Sequence, residues 1–374
     1  MIYPGFRSMV RNSQGRGPSH PTSIRDRKIL ERKTYKAVCL VCSWLLVAGA
    51  YSEDYHLLPY TGEPIVKAAE QAFHVADLYA VSGDRIRLCT YNIQDFFDGH
   101  NDGPRRTPEH ARRQARVAAR IIDQINPDVM VLQEIENVDV LHLLNEQLER
   151  PYAVAYLATF GQGRPQQSKL NLAVMSRRPI RNPKNIDFAP LEGRGRPTRG
   201  LLRFEVELDD ETVLLVYNVH LKSNWGLPWR NISQRYHAMT LLREDAASWT
   251  EKQGVEFELI IAGDFNVDPD IDQFFDDPSL EPLADLVDHW EGRPLEERIT
   301  IPTRYGDPRM EFPPAAFDRF YSSEGLTRDP WILMKPYVLS KGVDIDNVYT
   351  IAGEDDTTAS DHYPVYIDLY RMRN

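Results

Sequence analysis

Apolar and polar residues along the chain fall into short runs with the character of strands and longer runs with a helical period. "RIRLCTYNI", Arg85 to Ile93, alternates as a strand does, and "DVMVLQEI", Asp128 to Ile135, reads as a short buried strand after Pro127. Further strands are predicted over Leu170 to Ser176, Gly200 to Leu208, Thr212 to Leu221, Phe257 to Phe265, Ala315 to Ser323, Gly342 to Thr350 and Tyr363 to Tyr370. Between them, Thr107 to Ile125 is an amphipathic helix. Thr107 suits its N-cap and Pro108 its first turn; Ala111, Ala115, Ala118, Ile122 and Ile125 share one face, and Arg112, Arg116 and Arg120 another. Val138 to Leu148 and residues 231–252 also read as helices, and a shorter one is predicted around Val66 to Tyr79. "LDD", Leu208 to Asp210, is a hairpin signal, and the Pro/Gly/Arg-rich stretch from Gly292 to "PPAAFD" reads as a long surface loop. Strands that follow one another directly, mixed with strands separated by helices, predict an α/β fold with mixed sheets and helices packed outside.

Several apolar strands end in a polar residue with chemical potential. Asn92 ends the first, Glu134 the second, His220 closes "YNVH", Asp264 and Asn266 close "IIAGDFN", and Asp361 and His362 precede the last. Each alone has a plain explanation: an Asx turn, a solvated carboxylate, a hydrogen-bonded core histidine. Their joint occurrence points to one cleft at the end of a sheet, where α/β proteins build their sites. Glu134 is a hard oxygen donor suited to Mg²⁺ or Mn²⁺. Asp264 and Asn266, two apart, face the same side of an extended chain. His220 and His362 offer donors for developing negative charge, and Asp318 in "FDRF" is placed to orient a histidine.

Composition refines this picture in three places. The 374 residues carry a formal net charge of −11, yet residues 1–50 hold nine Lys/Arg against two Asp/Glu, so the remainder is strongly acidic. An acidic body lacks a general attraction for nucleic acid and tolerates metal cations. The basic lead Arg25 to Lys36, the apolar run Ala37 to Ala50, too short for a span of about 20 residues, and Ala48-Gly49-Ala50 at its end form an export signal with cleavage near Tyr51. The organisation read from the chain is therefore an export segment at 1–50, a lead-in at 51–83 and one domain at 84–372. The expected location is periplasmic or extracellular, with membrane anchoring if the segment stays uncleaved. Cys39 and Cys42 leave with that segment and Cys89 sits in a strand, so a disulfide within one mature chain and a thiolate metal cluster are excluded. Finally, Arg164 to Arg203 contains ten Lys/Arg and two Asp/Glu. Arg177, Arg178, Arg194, Arg196 and Arg199 in this stretch are candidates for tracking phosphates, and Trp225 and Trp229 form an aromatic pair on a rim loop beyond His220.

The segments "TYNIQ", "VLQEIEN", "LNLAVMSRRPI", "NVHLKS", "AGDFNVDPD", "FDRFYSS" and "SDHYPV", in this order, resemble the endonuclease/exonuclease/phosphatase superfamily over roughly Asp84 to Leu369. The resemblance implies a four-layer α/β/β/α sandwich with two mixed β-sheets and a metal-dependent phosphoric ester hydrolase. Carried over by motif, Asn92, Glu134 and Asp361 lie at the metal, Mg²⁺ or Mn²⁺, with Ca²⁺ also compatible. Asp264 activates water, Asn266 contacts phosphate, and His362, oriented by Asp318, contacts the scissile phosphate. His220 matches a second histidine of the deoxyribonuclease and sphingomyelinase branches. Lys222, Asn171 in "LNLAVMSRRPI" and Arg199 are substrate-binding candidates; Asp95 is a further acidic neighbour of Asn92. Asp268 and Asp270 are expected to shape and solvate the turn behind the site. The expected activity is that of an exported endonuclease/exonuclease. The alternatives are a sphingomyelinase-like phospholipid diesterase, an inositol-phosphate phosphatase, and a binding module that has lost catalysis. The filled catalytic positions argue against the last. A phosphate ester, nucleic acid among them, is the expected partner; no stable protein partner is implied, and membrane contact would come through the N-terminal segment or a lipid substrate.

Overall fold

The computed structural model describes residues 63–372, except 81–82, 161–168, 189–198, 210–211, 255–256, 304–312 and 347–349. The export segment lies outside the described residues, as do Arg194 and Arg196. In chain order the strands are β1 (Ile65–Ala68), β2 (Glu70–His74), β3 (Arg85–Phe96), β4 (Val129–Ile135), β5 (Val154–Ala158), β6 (Asn171–Ser176), β7 (Ile180–Asp187), β8 (Leu201–Glu207), β9 (Val213–His220), β10 (Glu258–Asp264), β11 (Val287–Asp288), β12 (Asp318–Ser322), β13 (Thr327–Arg328), β14 (Trp331–Leu333), β15 (Tyr337–Val338) and β16 (Val365–Arg371). The helices are α1 (Pro108–Ile125), α2 (Val138–Gln147) and α3 (Pro228–Gln253). Among the described residues no helix is long and apolar enough to cross a membrane.

One sheet runs β1-β7-β8-β9-β10-β12-β11; the other runs β13-β14-β16-β3-β4-β6-β5-β2, with β15 beside β16. Each is antiparallel except for one parallel pair, β3 with β4 and β9 with β10. A parallel pair needs a long crossover, and α1 and α3 supply the two.

Side-chain parity sorts the strands into layers. Ile86, Leu88, Val131, Phe204, Val216, Ile260 and Ile367 pack between the sheets. Cys89, Tyr91, Met130 and Leu132 face the opposite way, onto Ala115, Ala118 and Ile122 of α1 and Val140 and Leu144 of α2. Tyr217, Val219 and Ile261 do the same onto Ala238, Met239 and Leu242 of α3. The result is the α/β/β/α sandwich.

Four expectations change. Residues 66–79 hold β1, β2 and one short 3-10 turn (Ala76–Leu78) instead of a helix. The edge of each sheet offers unpaired backbone groups, and β1 and β2 satisfy them on β7 and β5; that outweighs the intrinsic helical preference of "KAAEQA". The lead-in is thus woven into both sheets. Gly342 to Thr350 forms no strand among its described residues; the Gly342 carbonyl instead accepts from the Ala359 and Ser360 amides, steadying the approach to Asp361 and His362. The stretch from Gly292 through "PPAAFD" is not a surface loop throughout, since Arg298, Thr300 and Ala315 to Phe317 are buried. The strands β5 and β7, unforeseen, fill the space beside β6 and β8.

Candidate active site

The two parallel pairs end at the same rim of the sandwich. On one sheet, His220, Asp264 and Asp318 are cross-strand partners in a single row, at the ends of β9 and β10 and the start of β12. On the other sheet Asn92 pairs with Gln133, and Glu134 sits in the irregularity that follows. Parity turns Asn92, His220, Asp264 and Asp318 into the gap between the sheets, where the apolar core gives out. Gly263 makes the row possible. A Cβ there would lie 2.0 Å from the Val219 carbonyl oxygen, so only glycine lets β10 lie this close to β9.

Backbone strain gathers here. Asp95, Glu134 and Asn266 all have positive φ, 44°, 65° and 53°. A glutamate in that region is held against its preference, a form of strain that recurs at functional sites.

The Asp264 carboxylate is the centre. Its Oδ1 accepts from the Asn266 backbone N–H at 2.8 Å, and its Oδ2 accepts from Asn92 Nδ2 at 3.1 Å and Asn266 Nδ2 at 3.0 Å. Oδ2 also lies 3.3 Å from His220 Nε2 and 3.9 Å from His362 Nε2. His362 Nδ1 is 2.7 Å from Asp318 Oδ2. Glu134 Oε1 is 3.7 Å from His220 Nε2, and its Oε2 accepts from the Asp95 backbone N–H at 2.8 Å. Asp361 approaches His362 Nε2 at 4.0 Å. Arg199, which donates to the Leu221 carbonyl at 2.9 Å, lies within electrostatic reach of Glu134, Asp264 and Asp95.

The two histidines are pushed in opposite directions by their surroundings. Burial, then Arg199 and the other nearby cations, hold His220 well below the ordinary imidazole pKa, so it is neutral. Burial pulls His362 down as well, but Asp318, Asp264 and Asp361 outweigh it and hold its pKa well above the ordinary value, so it is protonated. Burial pushes Asp264 up to about 6, with His362 working against the rise. Burial, Asp95 and Asp361 push Glu134 to about 7.

At Glu134 the repulsion of Asp95 and Asp361 adds to the effect of burial, and Arg199 offsets only part of it. Among the described residues, Asp95 alone of these three carboxylates is hydrogen-bonded to an arginine, Arg106 at 2.6 Å. Asn92 Oδ1 is buried and has no hydrogen-bond partner. An orphaned carbonyl oxygen beside carboxylates whose charge is only partly offset fits a hard divalent cation held by Asn92, Glu134 and Asp361. When bound, such a cation polarises a phosphoryl oxygen. The three acidic side chains that stand at metal-ligand spacing among the described residues are a separate trio, Asp98, Asp102 and Glu136. Lys169 stands beside two of these carboxylates, bonded to Asp102 and 2.6 Å from Glu136, and offsets part of their charge.

Other residues singled out from sequence have structural partners of their own. The Lys222 ammonium donates to the Ser223 and Trp225 carbonyls at 2.8 and 2.7 Å, organising its own loop. The Asn171 amide bridges the Phe160 N–H and the Glu136 carbonyl, bracing the end of β4 rather than facing outward. Arg177 and Arg178 are buried; Arg177 lies over Tyr152 and donates to the Pro127 and Arg150 carbonyls, so neither tracks phosphates. Asp268 is not solvated. It is fully buried and binds Arg298 at 2.5 Å, Arg319 at 3.4 Å and the Ala316 N–H at 2.9 Å.

Sequence reading also missed the layer beneath the site. Gln133 Nε2 donates to Asn218 Oδ1 at 2.7 Å across the two sheets, and Asn218 Nδ2 donates to the Leu132 and Ala173 carbonyls. The available signal was a polar residue at an inward position of an apolar strand, in "VLQE" and "YNVH".

A carboxylate able to take a proton, flanked by a neutral and a cationic imidazole at the rim of a two-sheet sandwich, defines a metal-dependent phosphoric ester hydrolase. The Endonuclease/Exonuclease/phosphatase family model matches residues 89–362, and the chain belongs to this family. Solved structures share the fold at low identity. Truncated Caenorhabditis elegans TDP2 is 18% identical, with a TM-score of 0.52 and coverage of 78% of this chain and 100% of that one. Beta toxin 275-280 from Staphylococcus aureus is 16% identical, with a TM-score of 0.52 and coverage of 77% and 100%. An endonuclease/exonuclease/phosphatase family protein from Bacteroides thetaiotaomicron is 16% identical, with a TM-score of 0.51 and coverage of 78% and 98%. Sequence comparison with curated proteins finds no match.

Proposed function

We propose that the protein is a phosphodiesterase that cleaves nucleic acid as an endonuclease or exonuclease, with Mg²⁺ or Mn²⁺ as its cation, after export to the periplasm or the exterior. The observation that carries the diester reading is Asp264 Oδ2 lying between the Nε2 atoms of His220 and His362. Asp264 takes the proton of the attacking water. Cationic His362, held by Asp318, neutralises charge gathering on the phosphoryl oxygens. His220 donates to the same group or to the leaving oxygen, which in a diester is an alkoxide in need of help. Arg199 adds positive charge on the substrate side. The export part of the reading rests on the basic lead, the apolar run and Ala48-Gly49-Ala50.

A second reading, a phospholipid diester, draws on the exposed Trp225 and Leu227 at the rim. One panel separates the readings: plasmid and linear DNA, RNA, sphingomyelin, inositol polyphosphates and a generic diester, each with Mg²⁺, Mn²⁺ or chelator. Preferred turnover of nucleic acid, abolished by chelator, is expected; preferred turnover of sphingomyelin or of a monoester overturns the nuclease reading. Mass spectrometry of the native protein checks export, and an intact N-terminus in the cytoplasmic fraction refutes it.

A further inference from the structure

Trp225 is 70% exposed and Leu227 57% exposed, on the loop that leaves His220. Large apolar side chains this open cost solvation and call for a use when they crowd a site. The loop that displays them is tied down on every side. Lys222 Nζ donates to the Trp225 carbonyl. Asn224 Nδ2 donates at 3.0 Å to the carbonyl of Asn266, the residue whose side chain binds Asp264. Buried Arg235 of α3 donates to the Lys222 carbonyl at 3.0 Å and to Asn224 Oδ1 at 3.2 Å, and is itself anchored by Asp277 and Ser279. Gly226 takes a positive φ of 106°, which turns the chain directly after the tryptophan into α3.

We propose that Trp225 is the stacking platform for the base of a nucleotide next to the scissile phosphate, which makes it a specificity residue for unpaired strands. The inference rests on the nuclease reading above. Its chemistry follows from position and rigidity. Trp225 is one residue from Asn224, which touches the Asn266 backbone, and neighbouring Cα atoms are only about 3.8 Å apart. A ring carried on that fixed backbone is within reach of a base one nucleotide from the reacting phosphate. Because the loop is already fixed, little ordering is lost when a base lands on the indole. A base inside a duplex is stacked on its neighbours and out of reach; a base in a single strand is not. A lipid surface is the weaker occupant. Ser223, Asn224 and Arg230 flank the two apolar side chains, and surface attachment scales with the apolar area that can be buried.

The test uses the full chain and two single-stranded oligonucleotides of equal length and charge, one with bases and one of abasic spacers. For Trp225→Ala, KM on the base-bearing strand should rise about 10-fold with kcat nearly unchanged, the scale of one lost stack. KM on the spacer strand should stay as in the parent, and Trp225→Phe should recover most of the loss. In chelator, the base-bearing strand should quench tryptophan fluorescence in the parent and do so less in Trp225→Ala. Equal losses on both strands, or none, overturn the proposal. A loss confined to sphingomyelin vesicles overturns it in favour of a lipid contact. If the parent cleaves neither strand but hydrolyses another diester, the nuclease reading itself has failed, an outcome distinct from an active parent with an indifferent Trp225 variant.

Discussion

His362 Nδ1 and Asp318 Oδ2 lie 2.7 Å apart, 44 residues distant in sequence, and join the two sheets at the site. Asp318 opens β12 of one sheet, while His362 leads into β16 of the other. The carboxylate raises the histidine pKa, so the histidine keeps its proton to higher pH than an isolated imidazole would. Replacing Asp318 by Asn removes that support. The alkaline limb of the pH profile of kcat/KM should therefore move to lower pH in Asp318→Asn, with a smaller loss at acidic pH, where His362 is protonated in either case. An NMR titration of His362 in both proteins checks the cause, and an unmoved limb refutes it.

Asp264 must be ionised to accept a proton. Its carboxyl is pushed up to about 6, and a bound cation nearby lowers that value. Activity should rise with pH through a limb at or below about 6. Asp264→Ala, His220→Ala and His362→Ala should each lose about 10²-fold or more in kcat, and double variants less than the product of the singles, because the three act on one transition state. Turnover measurements on variants with unchanged thermal melts decide this; near-normal rates place the chemistry elsewhere.

Glu134, like Asp361, is a carboxylate placed at the proposed metal with no arginine or lysine hydrogen-bonded to it among the described residues. Glu134→Gln keeps size and removes charge, so cation affinity by calorimetry should fall sharply and activity with it. Higher cation concentration should restore part of the activity, which a purely structural defect would not allow.

Asp268 sits behind the catalytic turn as the fully buried partner of Arg298 and Arg319. Removing its charge takes from buried Arg298 its nearest carboxylate and leaves Arg319 to rely on Asp288 at 3.1 Å. Asp268→Asn should cost about 3–5 kcal/mol of unfolding free energy in urea, a loss that Asp270→Asn, at the half-buried end of the network, should not match.

His289 reports on acid stability away from the site. Burial lowers its pKa to about 4 in the folded chain, against about 6.5 when unfolded. Between those values the unfolded state binds more protons, so stability falls as pH drops from about 6.5 toward 4. Melting temperatures of the parent and His289→Gln should converge as pH falls through this window if the histidine is responsible.

Much of the site was legible because its signals are local. Glu134, His220 and Asp264 stand at or next to the ends of period-two strands, Asn92 stands where the regular pairing of β3 breaks off, and a glycine precedes the aspartate on the strand that lies close to β9. What sequence misjudged were residues whose role depends on a partner far along the chain. Arg177 and Arg178 read as phosphate-tracking cations, yet Arg177 spends its donors on carbonyls 27 and 50 residues away. Lys222 bonds its own loop while lying within electrostatic reach of His220.

The sequence by itself determined the layers, the strand-end chemistry and the family, since hydrophobic period, turn residues and motif order are properties of neighbouring positions. Only the tertiary structure decided that edge strands β1 and β2 replace a helix, that Asp268 is buried with two arginines, and that one histidine is neutral while the other is charged. Those outcomes depend on which backbone edge is unpaired, how deeply a group is removed from water, and which charges converge on it. Contacts between distant segments set all three.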